Sequence, residues 1–564
     1  VQPRLVQSAG ARQPGGRTFS EVGIITLNPA VADSDYLGAG NVTGTTTGNI
    51  GGTGGSQAIL FTTPLAGNLT ATTTGGNVSL AENSGAGVAN LQTSRAVVTT
   101  GASANVSLAS VNNGVVVNTT TDIGSGSANI TLTAAAGKNV AVSASKSIAT
   151  SGNVTLNGDN VDLSGTVSAN NVTIAPVTTN QLIQIGISAT DAAGTLGLSG
   201  AELDFITASS VTVGSANAGN ITVVGDSTAL TSNPFNLTLT TNAAIVRTAG
   251  DLLLDSGKTL ALNAQSGIGS TKAIKTYAET VTFSNAASGN VQIANQGIGT
   301  MTISGSNATS GGSITITSPT GGASDIKIGA AGISALNGVT VVSVDTNGGS
   351  IVSATGAMVT ATTVNLGVGG SALNVGTPGN AINTTASNID ARAGNIYLSN
   401  TGNLANTNAV ATGGLVDIQN TGALTTGTGN ISSSNDTVTV NAGGLVTVTA
   451  GKAIGLGTGT TTSVTGVGVD AQGSIIGKGG LTVNAGIGTL NLGATGGLSN
   501  FGTASAVTLI ADQMTLALGT VNAGSGAATL RQSTNTRAIT LGAAGAGTLA
   551  LTDADLDTVS TTGI

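Results

Sequence analysis

The phrase SANVSL at residues 103–108 returns as SANITL at 127–132 and as SGNVTL at 151–156, each arrival 24 residues after the last. Polar and aliphatic residues alternate inside each phrase, which is the period of a β-strand with one buried face. Val106 and Leu108 lie on one side, and Asn105 and Ser107 on the other; Ile130 with Leu132 and Val154 with Leu156 repeat the pattern. Each unit carries a second such run, KNVAVS at 138–143, and a shorter third, KSIAT at 146–150. Gly, Ser, Asn and Asp fill the gaps, as corners require. One unit alone cannot bury its apolar face, whereas units stacked on one another bury it continuously. The spacing therefore predicts an all-β chain folded as a parallel β-solenoid, or β-helix, with coils of about 20–25 residues.

The alternation continues in looser spelling through NNVTI (170–174), GNITV (219–223), FNLTL (235–239), GNVQI (289–293), GNIYL (395–399), GLVTV (444–448) and AVTLI (506–510). These phrases assign residues 41–564 to the repeat array. Residues 1–40 lack the phrase and hold Pro3, Pro14 and Pro29 with Arg4, Arg12 and Arg17, so they are read as a separate N-terminal segment, a cap or an inter-subunit arm. A longer repeat also stands out: GTLGLSGAELD at 194–204 and GTLALTDADLD at 547–557. The first is followed by further strand phrases and the second by only seven residues, so the last module is shortened and its final coil is expected to present an unpaired edge. Asp553, Asp555 and Asp557 are expected to alternate on one strand face there. With Arg4, Arg12 and Arg17 at the other end, they form a candidate set of head-to-tail assembly contacts.

Composition decides which chemistries remain. Glycine supplies 87 of 564 residues and charged residues only 7%, yet 39% of the chain is hydrophobic, which separates it from disordered chains of low hydrophobicity and high net charge. The net charge of −8 is thinly spread and gives no basic cluster for nucleic acid, and no run of 18 apolar residues is present to span a membrane as a helix. Without histidine or cysteine there is no neutral-pH base of the usual kind, no thiol nucleophile and no usual zinc site. Acid pairs remain: Asp159 with Asp162, Glu202 with Asp204, and Asp553 with Asp555. On an alternating strand Glu202 and Asp204 would share a face about 7 Å apart, a separation used in glycoside cleavage. The same spacing arises wherever a solvent face carries charge, so no catalytic residue, cofactor or metal ligand is assigned and the chain is read as not an enzyme. The many Asn-x-Ser/Thr sequons follow from the repeat phrase itself. Asn105, Asn129 and Asn153 are instead assigned to a polar ladder, each bonded to its copy one coil away.

The stretches SGNVTLNGDNVDLSGTVSANNVTIAP (151–176), GTLGLSGAELDFITASSVTVGSANAGNITV (194–223) and AGDLLLDSGKTLALNAQSGIGS (249–270) resemble bacterial filamentous-haemagglutinin-type proteins, and more broadly the β-strand-repeat proteins of bacterial surfaces. The resemblance covers most of 41–564 and implies export, a right-handed coil, and a structural role in adhesion, matrix or surface coat. It carries over no active-site residue. The function expected is an extracellular or cell-surface structural solenoid whose main partner is itself, as a head-to-tail homopolymer. Alternatives are a monomeric adhesin stalk and a solenoid that binds or cleaves polysaccharide, with glycans of host or neighbouring cells as partners.

Overall fold

A computed structural model describes residues 105–561, apart from short segments at 111, 118–122, 128, 229–231, 296–298, 309–310, 319–324, 343–348, 371, 456–460, 501–504 and 543–544. Before residue 105 it describes the backbone of Arg17–Glu21, Val42–Thr46, Ile59–Phe61, Leu69–Thr73, Val78–Glu82, Leu91–Thr93 and Val97–Thr99, all β-strands. The N-terminal segment 1–40, with Arg4 and Arg12, otherwise lies outside the described residues; Arg17 opens the first strand. The chain divides into two compact units, Val1–Ala287 and Ser288–Ile564.

In the first unit the repeated phrase forms one face of a parallel β-solenoid. Ile130 is paired with Val106 on one side and Val154 on the other, so the 24-residue sequence period is the coil itself. The runs Asn139–Val142 and Ser147–Thr150 build the second and third faces, paired in register with Asn160–Leu163 and Thr166–Ser168 of the next coil. Because the pairing is in register, like stacks on like. Val106, Ile130, Val154 and Val172 form one fully buried row, and Leu108, Leu132, Leu156 and Ile174 a second. The core is narrow and aliphatic because each short strand turns only two or three residues inward, most of them Val, Ile or Leu.

The second unit repeats the design. Its main face runs through Ile326, Ile351, Val375, Ile396, Val416, Val438, Thr462, Leu481, Val507 and Ala528, each paired with the next. The β-solenoid fold is thus established in both units, and helix is confined to two single turns among the described residues.

Corners explain much of the glycine. The Gly-Lys corners at Gly137, Gly257 and Gly451 hold φ of 71°, 76° and 74°, a left-handed backbone that glycine adopts without cost. A different constraint acts at Gly165 and Gly473, where a Cβ would meet a carbonyl oxygen of the coil beneath at 2.3 and 2.2 Å. There the coils approach too closely for any side chain.

One step in the first unit is much longer than its neighbours. From Val172 to its partner Val211 the chain takes 39 residues, against 24 between Val106 and Ile130. The surplus is a built insertion, and it contains the first copy of the longer sequence repeat.

Candidate assembly surface at a duplicated module

The insertion begins with Leu182–Ile185, after which the chain doubles back so that Thr195–Leu198 pairs parallel to it within the same excursion. A single helical turn follows, α1 (Gly200–Asp204). Its N-cap Ser199 accepts from the Glu202 N–H, and the Glu202 carboxylate accepts from the Ser199 N–H at 2.8 Å and hydroxyl at 2.8 Å. This is a capping box, in which both ends of the first turn satisfy each other's orphan donors. Glu202 also accepts from the Leu163 N–H at 3.2 Å, which ties the helix to the preceding coil.

The second unit contains the same arrangement. Ile539–Leu541 pairs with Leu549–Leu551, and α2 (Asp553–Leu556) follows with Thr552 as its cap and Asp555 in the place of Glu202. Asp555 accepts from the Leu516 N–H at 2.7 Å, as Glu202 does from that of Leu163. Burial pushes its carboxyl up, but the bonds from Thr552, Leu516 and Ala517 outweigh it and hold the group below the ordinary value. The sequence expectation is corrected here. Glu202 with Asp204, and Asp553, Asp555 and Asp557, do not alternate along strands; they sit on and beside helical turns because the Ser-x-x-Glu and Thr-x-x-Asp pattern caps a helix. Asp555 is buried and spent on internal bonds, while Asp553 and Asp557 face solvent.

A second carboxylate closes each module. Asp159, 3% exposed, accepts from Gly137 N–H at 2.5 Å, Val177 N–H at 2.9 Å, Thr178 N–H at 2.7 Å and the Thr178 hydroxyl. Burial raises its pKa, and these four donors more than reverse that, leaving it below the ordinary carboxylate value. Asp512 does the same work in the second module. The Thr534 hydroxyl bond is the largest cause of its lowered pKa; its carboxyl also takes the Ser533 and Thr534 N–H groups and an ion pair from Arg537 at 3.8 Å. Each of these aspartates thus staples a loop from a later coil onto an earlier corner.

Asp162 is drawn into a different contact. It is hydrogen-bonded to Asp191, whose carboxyl also accepts from the Gly197 N–H at 2.8 Å. Desolvation first, then the charges of Asp162 and Glu202, push Asp191 up to about 6. Its ionised form is therefore disfavoured by folding, and stability falls as pH rises from about 4 to 6. Asp191→Asn should leave the urea midpoint unchanged at pH 4 and raise stability at pH 7.5 by about 1 kcal/mol, a figure reduced for the residue's exposure. Lower stability at pH 7.5 would contradict this.

Asn105, Asn129 and Asn153 lie at successive coils: Asn129 donates to Asn105 at 2.9 Å, Asn129 accepts from the Asn153 N–H at 3.0 Å, and Asn171 donates to Asn153 at 2.7 Å. A buried counterpart in the second unit escaped the sequence reading. Asn400 donates to Asn420 at 2.9 Å, below the surface, and Asn420 in turn donates to the Gly422 carbonyl. The signal was there in the twice-written Asn-Thr-Gly of 400–402 and 420–422.

The two modules differ at one face. In the first, Asn171–Ala175 is covered by Ser210–Gly214 and Leu182–Ile185 by Ile221–Val224. In the second, Ala528–Arg531 and Ile539–Leu541 have no such covering strand among the described residues. Ile183 and Ile185 are consequently 0% exposed, while their counterparts Ile539 and Leu541 are 46% and 66% exposed. No family profile, curated protein or solved structure matches the chain. Among the described residues no group of three or more acidic side chains is arranged to hold a metal ion, and no helix is long and apolar enough to cross a membrane.

Proposed function

We propose that this chain is a structural β-solenoid of the cell exterior, joined end to end with copies of itself into a filament or matrix. The observation that supports a structural role is the in-register stacking of coil on coil, which sets Val106, Ile130, Val154 and Val172 in one buried aliphatic row and repeats in the second unit. Stacked parallel strands with like residues in register are the design by which a solenoid gains length. Placement outside the cell rests on the resemblance of 151–176, 194–223 and 249–270 to surface β-strand-repeat proteins. Two members of the acid pairs support a structural role: Asp159 and Glu202 are each occupied by several internal donors. Electron microscopy of the purified chain over a concentration series tests the reading, with filaments expected to lengthen as concentration rises.

A further inference from the structure

We infer that the link 186–194 is a proton-operated latch, closed onto the strand Thr195–Leu198 while Asp162 and Asp191 share one proton and released when both carboxyls ionise. This goes beyond the end-to-end reading and does not rest on it. In the closed form the Thr190 backbone lies directly on Gly197, where a Cβ would meet the Thr190 carbonyl carbon at 2.4 Å. The Thr190 N–H donates to the Gln184 side chain at 3.4 Å, and the Asp191 carboxyl accepts from the Gly197 N–H at 2.8 Å. Thr195–Leu198 ends its sheet, and Asp191 serves the Gly197 N–H in place of a further strand. The contact with Asp162 depends on a proton. Two ionised carboxylates are both acceptors, so the hydrogen bond between Asp162 and Asp191 exists only while one of them is protonated and donates.

The second module provides the comparison. Its strands Ile539–Leu541 and Leu549–Leu551 pair as Ile183–Ile185 and Leu196–Leu198 do, which sets Ala550 in the place of Gly197 and Thr540 in that of Gln184. The link there is GAAGAG at 542–547, three residues shorter than 186–194 and without a carboxylate. Counted from the staple aspartates Asp159 and Asp512, Thr515 stands where Asp162 does. The doubled-back strands and the capped turn therefore form without the acid pair, and alanine fits the strand position. The first module adds one set of features: a longer link, a glycine beneath it and two acids. The charged groups acting on Asp191 are Asp162, on the strand Asn160–Leu163, and Glu202, on α1. Among the described residues none of the three is ion-paired, so ionisation meets only repulsion. Burial and then these charges hold Asp191 up at about 6, against the ordinary 3.8 of a released carboxyl. Closure therefore weakens as pH rises from about 4 to 6 and is level above that.

Amide exchange of the 564-residue chain at pH 4 and pH 7.5, corrected for the intrinsic pH dependence of exchange, reads the latch. Protection across 187–197 is expected to fall at least about tenfold at the higher pH, while Ile539–Leu541 and Leu549–Leu551 show no such step. Asp191→Asn and Asp162→Asn each give the remaining acid a permanent N–H donor, so both should keep the segment protected at either pH. Gly197→Ala should leave it open even at pH 4, in a chain whose circular dichroism is unchanged, because Ala550 occupies the equivalent position in the second module. Protection that does not vary with pH, or that falls equally in both modules, overturns the inference. A pH step that survives Asp162→Asn overturns it too, since Asp191 would then titrate alone with no shared proton. None of these outcomes depends on whether filaments form.

Discussion

Replacing Ile183 and Ile185 together by aspartate should unfold the first unit, while Ile539→Asp with Leu541→Asp should leave the second unit folded. Ile183 and Ile185 are fully buried, so the double change loses the burial of two aliphatic side chains, at about 1.5 kcal/mol each, and adds the desolvation of two carboxylates. Ile539 and Leu541 face solvent, where changes are usually within about ±0.5 kcal/mol. Urea denaturation followed by circular dichroism separates the two cases. A first unit that stays folded with both aspartates would contradict the buried placement of this pair.

Asp159→Ala should be the most damaging single change at a residue that looks like surface decoration in the sequence. It strips the acceptor from three backbone N–H groups and one hydroxyl, at Gly137, Val177 and Thr178. A buried donor left unpaired costs about 1–3 kcal/mol, and with water rescuing some of the four the expected loss is about 3–5 kcal/mol. The pH dependence carries a sign. The folded carboxyl titrates below its unfolded value of about 3.8, so its contribution is fully present above that pH and is lost as pH falls through the lower folded value. Asp512 and Asp555 act in the same direction. The parent chain should therefore lose stability steeply below about pH 4, and Asp159→Ala should flatten that slope as well as lower the plateau. Urea denaturation between pH 2.5 and 7.5 reads both; an unchanged acid slope would mean that Asp159 does not provide it.

The solenoid was legible because its determinants are local and periodic. The 24-residue return of Asn105, Asn129 and Asn153 is the coil register itself, and the alternation around Val106, Ile130 and Val154 names the buried rows. What stayed hidden depends on contacts between distant positions. The donors to Asp159 lie 18 to 22 residues from it, so nothing in NGDNVDL marks that aspartate as a staple. The doubled-back excursion at Leu182–Ile185 and Thr195–Leu198 was missed because GTLGLSGAELD alternates well enough to pass for one strand. The Ser-x-x-Glu inside it, matched by Thr-x-x-Asp at 552–555, was the available sign of a capped helix. Repetition of the phrase pointed to a module, and only the pairing pattern showed that one copy is covered and the other is not.

The proposal that this chain joins copies of itself end to end is tested most directly by negative-stain electron microscopy of the purified 564-residue chain at rising concentration. The proposed function predicts filaments many molecules long, with a regular axial repeat. Discrete single molecules at every concentration would contradict it.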